Sequence, residues 1–225
     1  RIAVQDGAEL PATFGFSEDR IGYVIAGGPV AMFETMAGAE DDADDGARQA
    51  SGCTARDAMI AVAASGSTPF TVAAARQAKA NGCLVVAVVN NAGSALGAVA
   101  DIEVLLASGP EVIAGSTRMG AGTAQKAALN LVSSLVFTRL GAVHDGLMVN
   151  VQAGNAKLLA RARRIVMQVT GVSEVIAEAS LAETGGHIKV AILMCQGART
   201  VDEAHDLLAA AGENLRLALS RVRSQ

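Results

Sequence analysis

Four short apolar runs constrain this chain more than any other feature: residues 20–26, 58–63, 83–89 and 102–106. The second reads Ala-Met-Ile-Ala-Val-Ala and the third Cys-Leu-Val-Val-Ala-Val-Val, without the polar alternation of a half-exposed strand. Such runs suit strands buried on both faces, as in a parallel sheet. Turn residues follow them: Gly27-Gly28-Pro29, then Ser65-Gly66-Ser67-Thr68-Pro69, then Asn90-Asn91-Ala92-Gly93-Ser94. Helix-period stretches fill the gaps, the first expected to end near Ala37 and the second near Ala80. Strand–helix alternation from Arg20 to Gly141 predicts an α/β fold, a parallel sheet with right-handed crossovers.

The longest helical pattern follows Ala114. Leu129, Val132, Leu135, Val136 and Leu140 recur at three- and four-residue spacing, which predicts one buried face. Ser116 and Thr117 stand where N-cap residues belong, and Arg118 comes next. A helix N-terminus with free N–H groups, hydroxyls and a guanidinium suits a phosphate or carboxylate. Spacing alone equally allows Ser116 to be a plain cap. The Ser65–Thr68 turn, with Pro69 at the first helical position, has the form of a phosphate cradle at the carboxyl end of a strand; an ordinary turn has the same composition.

Beyond Gly141 the pattern changes. Residues 141–152 form a connection broken by Gly and Asn, and from Asn155 onward the period is helical. Leu158, Leu159, Ala162, Ile165, Val166 and Val169 make one apolar stripe, and further helices are expected over 173–182, 188–194 and 201–219. The chain therefore divides into an α/β domain, residues 1–150, and a C-terminal helical subdomain, residues 151–225. A net charge of −4 without a Lys/Arg cluster argues against nucleic acid as a partner. No apolar run reaches about 18 residues, so no membrane partner is expected, and no signal peptide is visible. Cys53, Cys83 and Cys195 are widely spaced in apolar surroundings and read as buried thiols of a reducing compartment, not as metal ligands. His144, His187 and His205 are scattered and read as structural or solvated. Neither metal nor cofactor is expected.

Residues 1–15 read as a short apolar turn leading into a loop closed by Pro11 and Gly15. Glu9 lies between Ala8 and Leu10, where burial would raise its pKa; a plain surface glutamate is the ordinary alternative. Residues 40–45 hold five acidic side chains in six, a pattern usual for a solvated loop or helix start. The chain opens on Arg1 rather than Met, which reads as a lost beginning.

Several of these stretches share a resemblance. Gly115-Ser116-Thr117-Arg118-Met119, continuing to Ala121-Gly122-Thr123-Ala124-Gln125-Lys126, closely resembles the signature of the N-acetylmuramic acid 6-phosphate etherases, sugar-phosphate lyases of the sugar isomerase (SIS) fold. The segment Asp6 to Gly15 is similar to a family motif whose glutamate is a catalytic acid/base, and Glu9 falls on that position. Gly38-Ala39-Glu40-Asp41 matches the segment carrying the family's second functional carboxylate, at Glu40. A Gly-rich phosphate loop ending in Ser-Gly-Arg precedes the first motif in the family; of it, Arg1 remains here. The chain departs from the pattern at Ser67, where the family carries Arg, at Ala92 for Pro, at Gly120 for Lys and at Asn150 for Asp.

The resemblance implies a three-layer α/β/α sandwich of SIS type with a small helical subdomain. It implies Glu9 and Glu40 as catalytic carboxylates, and Arg1, Ser65, Ser67, Thr68, Ser116, Thr117 and Arg118 as substrate- and phosphate-binding residues. The substrate implied is an amino-sugar phosphate, N-acetylmuramic acid 6-phosphate, cleaved to D-lactate and N-acetylglucosamine 6-phosphate without metal or redox cofactor. A cytoplasmic homodimer acting in amino-sugar recycling is the matching expectation. Two other readings stay open: a non-catalytic sugar-phosphate binder similar to the glucokinase regulatory proteins, and a phosphosugar isomerase of the same fold. Retention of both Glu9 and Glu40 favours the enzyme, because a binder needs neither.

Overall fold

The computed structural model describes residues 1–151 and 156–222. Gln152 and Asn155, the expected end of the connection and onset of the helical tail, lie outside the described residues. By packing, the chain groups into two units: residues 1–7 with 21–131, and residues 8–20 with 132–225.

The first unit is built on a parallel three-stranded sheet, β1 (Ala58–Val62), β2 (Leu84–Val89) and β3 (Ile102–Leu105), in that spatial order. Ile60, Val86 and Ile102 stand in register across it, as do Val62, Val88 and Val104. One face presents Ala61, Val85, Ala87 and Val89 to Val72, Ala75 and Ala78 of α3 (Pro69–Ala80) and to Leu96 of α4 (Ala95–Val99). Alanines on both sides of this layer let helix and sheet approach closely. The opposite face carries the exposed apolar side chains Ile60, Leu84 and Ile102, the surface a second helical layer requires. The architecture is the expected α/β one.

Other expectations are corrected. Residues 20–26 form no strand: the Gln49 side-chain amide takes both backbone groups of Ile25, donating to its carbonyl and accepting from its N–H. A side chain thus supplies what a ladder neighbour would have supplied. The helix expected up to Ala37 is one 3-10 turn, Pro29–Met32. The acidic run is not all solvated. Asp42 caps α2 (Ala43–Gln49) by accepting from the Asp45 N–H, and Asp45 pairs with Arg48 and Gln49. Of the three free cysteines only Cys83 is buried; Cys53 and Cys195 are half-buried.

Residues 2–14 are helical, α1 (Ile2–Phe14), with Pro11 inside, where a turn and loop were expected. The helix ends by burying Phe14, whose ring stacks on Phe137 at 4.5 Å while Phe16 meets Phe137 edge-on at 5.1 Å. That aromatic cluster outweighs the local turn signals. The long helix α5 (Gly120–Arg139) buries a four-residue stripe, Ala121, Gln125, Leu129 and Phe137, rather than the expected one. Leu129 is common to both, but Leu135 is 56% exposed and Leu140 55%, with Val136 also exposed.

In the second unit, a two-residue hairpin, β4 (Val143–His144) with β5 (Leu147–Met148), precedes the helical tail. The tail comprises α6 (Ala156–Thr170), α7 (Glu174–Glu183), α8 (Ile188–Cys195), α9 (Val201–Ala210) and α10 (Leu215–Val222). Its centre is α8, buried from Ile188 through Leu193, with Ala162, Ile165, Val166, Ala177, Leu181, Leu208 and Leu215 around it. Of the predicted α6 stripe, Leu159 is exposed. The single helix expected over 201–219 is two, broken where Gly212 and Glu213 adopt positive φ. There the Lys189 ammonium, buried on α8, takes the Glu213 carboxylate at 2.8 Å and the Glu213 carbonyl at 3.2 Å.

Candidate active site

All three strands of the first unit run parallel, so their carboxyl ends deliver three loops to one edge of the sheet, the edge where α/β proteins bind ligands. The loop after β1 carries Ser65, Ser67 and Thr68. Ser65 Oγ accepts from the Ser67 N–H at 3.2 Å and from its hydroxyl at 3.1 Å, closing the turn on itself. Gly66 passes so near the loop after β2 that a Cβ there would lie 2.4 Å from the Ser94 side chain, and its φ of +66° suits glycine alone. The Gly66 carbonyl accepts from the Leu96 N–H at 2.8 Å, and Ser94 caps α4 through the Gly97 N–H. Thr68 opens α3 with Pro69 next, and its hydroxyl makes no cap bond. Ser65 and Ser67 are exposed.

Asn90, at the end of β2, ties the three loops together. Its N–H donates to the Ala64 carbonyl at 3.0 Å, and its amide nitrogen donates to the Leu106 carbonyl at 2.9 Å and to Ser108 Oγ at 3.3 Å. Its amide oxygen accepts from Gln125 of α5 at 2.9 Å. Neither Asn90 nor the buried Gln125 was assigned a role from sequence, although Gln125 lies inside the Thr-Ala-Gln-Lys stretch. Lys126, its neighbour, pairs with Asp6 at 3.6 Å.

The loop after β3 corrects the N-cap expectation. Helix α5 begins at Gly120, so Ser116 and Thr117 lie ahead of it in an irregular loop. The first amides of α5 are taken by Glu111, whose carboxylate accepts from Gly120 at 3.0 Å and Ala121 at 2.9 Å. Those N–H donors, Ala121 foremost, hold the Glu111 carboxyl below the usual carboxylate range. Ser116 is half-buried, and Thr117 and Arg118 are exposed.

Glu40 is exposed, in the 3-10 turn Ala39–Asp41 just before α2. Arg1 donates through Nε to the Ala31 carbonyl at 2.7 Å and through a terminal nitrogen to the Glu34 carbonyl at 2.9 Å. Glu9 belongs to the second unit and is exposed on α1, so the burial between Ala8 and Leu10 that was expected to raise its pKa is not found. In that unit Asn150 donates to the Phe14 carbonyl at 2.8 Å, fixing the end of α1 that follows Glu9. An aspartate there could not make this bond when ionised, which gives the Asn150 departure a local reason.

Residues 33–134 match the SIS domain family. Over 221 residues the chain is 46% identical to an N-acetylmuramic acid 6-phosphate etherase of Deinococcus radiodurans, an alignment covering 97% of this chain and 72% of that one. The chain belongs to the N-acetylmuramic acid 6-phosphate etherase family. An etherase of Symbiobacterium thermophilum is 48% identical over 86% of this chain and 65% of its own length, and one of Aeromonas hydrophila 41% over 92% and 70%. Within the etherase family this member lacks a side chain at Gly120, yet a Cβ there would rest at 3.5 Å from the Glu111 carboxylate, an ordinary contact. A first side-chain carbon at Gly120 would therefore meet no clash. Among the described residues no single helix is long and apolar enough to cross a membrane.

Proposed function

We propose that the protein cleaves the D-lactyl ether at carbon 3 of N-acetylmuramic acid 6-phosphate, giving D-lactate and N-acetylglucosamine 6-phosphate. The observation that carries this reading is the 46% identity sustained over 97% of the chain, with Glu9 and Glu40 standing in their motifs.

An alkoxide is a poor leaving group, so the ether needs an activated neighbour. Opening of the sugar ring supplies an aldehyde at carbon 1, which acidifies the proton on carbon 2. A carboxylate base removes that proton, and the electron pair forms a carbon 2–carbon 3 double bond as the carbon 3–oxygen bond breaks. A carboxylic acid protonates the departing lactate oxygen. Water then adds to the unsaturated aldehyde, its hydroxyl to carbon 3 and a proton to carbon 2. We assign Glu9 to protonating lactate and later activating water, and Glu40 to the carbon 2 proton. Positioned carboxylates contribute of order 10²–10⁴-fold to such steps. Ser65, Ser67, Thr68, Ser116, Thr117 and Arg118 would hold the 6-phosphate by hydroxyl and guanidinium donors, with Arg1 adding a charge.

The same reading makes the protein a cytoplasmic enzyme of amino-sugar recycling. A homodimer fits the apolar side chains Leu131 and Leu135 left exposed on α5 and Leu140 just after it. The test is deuterium exchange at carbon 2 in heavy water, followed beside lactate release. The parent should do both. Glu9→Ala and Glu40→Ala should each lose both exchange and lactate release, with product binding intact. Full activity in both variants would remove the assignment.

A further inference from the structure

The loop of residues 106–119 carries Ser116, Thr117 and Arg118 but has little to hold it by packing. Its apolar residues point outward, Val112 being 88% exposed and Ile113 63%. Its near end is tied by Asn90 to Leu106 and Ser108. Its far end is tied by backbone turns, Ser116 N–H to the Ile113 carbonyl at 3.0 Å and Gly122 N–H to the Thr117 carbonyl at 2.9 Å. Between them stands Glu111, bound bidentately to Gly120 and Ala121, nine and ten residues ahead. A carboxylate at a helix N-terminus satisfies amides that otherwise lack a partner and lies favourably in the helix dipole. Ala121 is itself buried, so the anchor on which Glu111 closes the loop is fixed in the core.

We propose that Glu111 is a positioning residue of the phosphate site, resting on the etherase reading above. It clamps residues 111–121 into a closed loop that presents Ser116, Thr117 and Arg118 to the sugar phosphate. Because its carboxylate takes the Gly120 and Ala121 amides, the phosphate is held by the loop's hydroxyls and guanidinium and not by the α5 N-terminus. The same clamp explains how Gly120 serves without a side chain: the loop's shape comes from Glu111.

The test compares the parent with Glu111→Ala and Glu111→Gln, reading lactate release from N-acetylmuramic acid 6-phosphate, Kd for N-acetylglucosamine 6-phosphate by calorimetry, and thermal melting. Glu111→Ala should raise KM and Kd about tenfold and leave kcat within about threefold. Glu111→Gln, which keeps one acceptor oxygen, should fall between it and the parent, and it carries the test if Glu111→Ala does not fold. Unchanged KM and Kd would overturn the proposal. So would tighter binding in Glu111→Ala, which would make the carboxylate a competitor for the amides, or a loss confined to kcat. A parent that binds the product but releases no lactate would end the etherase reading alone, and the Kd series would still judge Glu111. A parent that binds no sugar phosphate would overturn both.

Discussion

Gln125 reaches from α5 to Asn90 at the end of β2, its amide nitrogen 2.9 Å from the Asn90 oxygen. With that oxygen satisfied, the Asn90 nitrogen is aimed at Leu106 and Ser108, so one side-chain pair sets the relation between α5 and two strand-end loops.

Gln125→Leu should therefore cost more than a surface change. It leaves the Asn90 oxygen unpaired at a half-buried position, at about 1–3 kcal/mol. Denaturant unfolding should show the midpoint shift with an unchanged slope, and KM for the sugar phosphate should rise as the loops loosen. Wild-type stability and KM in this variant would show that the pair does not organise the loops.

Lys189 and Glu213 form a pair buried on one side only. Removing the carboxylate with Glu213→Ala leaves a buried ammonium with the Glu213 carbonyl at 3.2 Å. The expected loss is about 1–3 kcal/mol, below that of a fully buried pair because the Glu213 carboxylate reaches solvent. Lys189→Met should be close to neutral, and combining the two changes should recover most of the loss. The double-mutant cycle by chemical denaturation measures this directly.

His144 supplies a pH signature. Burial holds its imidazole below the usual histidine pKa; the nearby Asp145 opposes this and Arg216 adds to it. The neutral form is thus favoured in the folded state, and the unfolded chain takes up the proton first as pH falls. Stability from this group is complete above about pH 6.5 and is lost as pH drops through the folded value. His144→Gln should flatten the stability profile on that acid side, as read from denaturation midpoints between neutral and mildly acid pH. An unchanged slope would assign the acid loss to other groups.

Gly46 lies at a close approach of α2 to α3. A Cβ there would lie 2.2 Å from the Phe70 carbonyl oxygen, and backbone cannot move aside cheaply. Gly46→Ala should destabilise by about 1–3 kcal/mol. Gly52→Ala, with nothing within 4 Å of the added methyl, should change stability by less than about 0.5 kcal/mol. Equal melting temperatures for the two would contradict the packing.

The runs that became β1, β2 and β3 were legible because a strand buried in a sheet is written in consecutive apolar residues, and α3 because Pro69 marks its start. Residues 20–26 carried the same signal and became no strand, since the Gln49 side chain that took the Ile25 backbone groups is remote in sequence. The start of α5 was placed too early for a similar reason. Ser116 and Thr117 are the local capping signal, whereas the cap comes from Glu111, outside any pattern that spacing reveals. Helix α1 was hidden by Pro11 and Gly15, and the contacts that hold its end, Phe137 against Phe14 and Asn150 on the Phe14 carbonyl, are remote in sequence. Among the loops at the carboxyl edge of the sheet, the turn of Ser65, Ser67 and Thr68 was readable from the strand–turn–Pro order. Asn90 and Gln125 were not, because they meet 35 positions apart.

The most direct test of the central claim is D-lactate release from N-acetylmuramic acid 6-phosphate by the purified protein, with Glu9→Ala beside it. The account predicts lactate and N-acetylglucosamine 6-phosphate in equal amounts from the parent and none from the variant. No lactate from a parent whose melting temperature still rises with the sugar phosphate would contradict it and make the protein a sugar-phosphate binder.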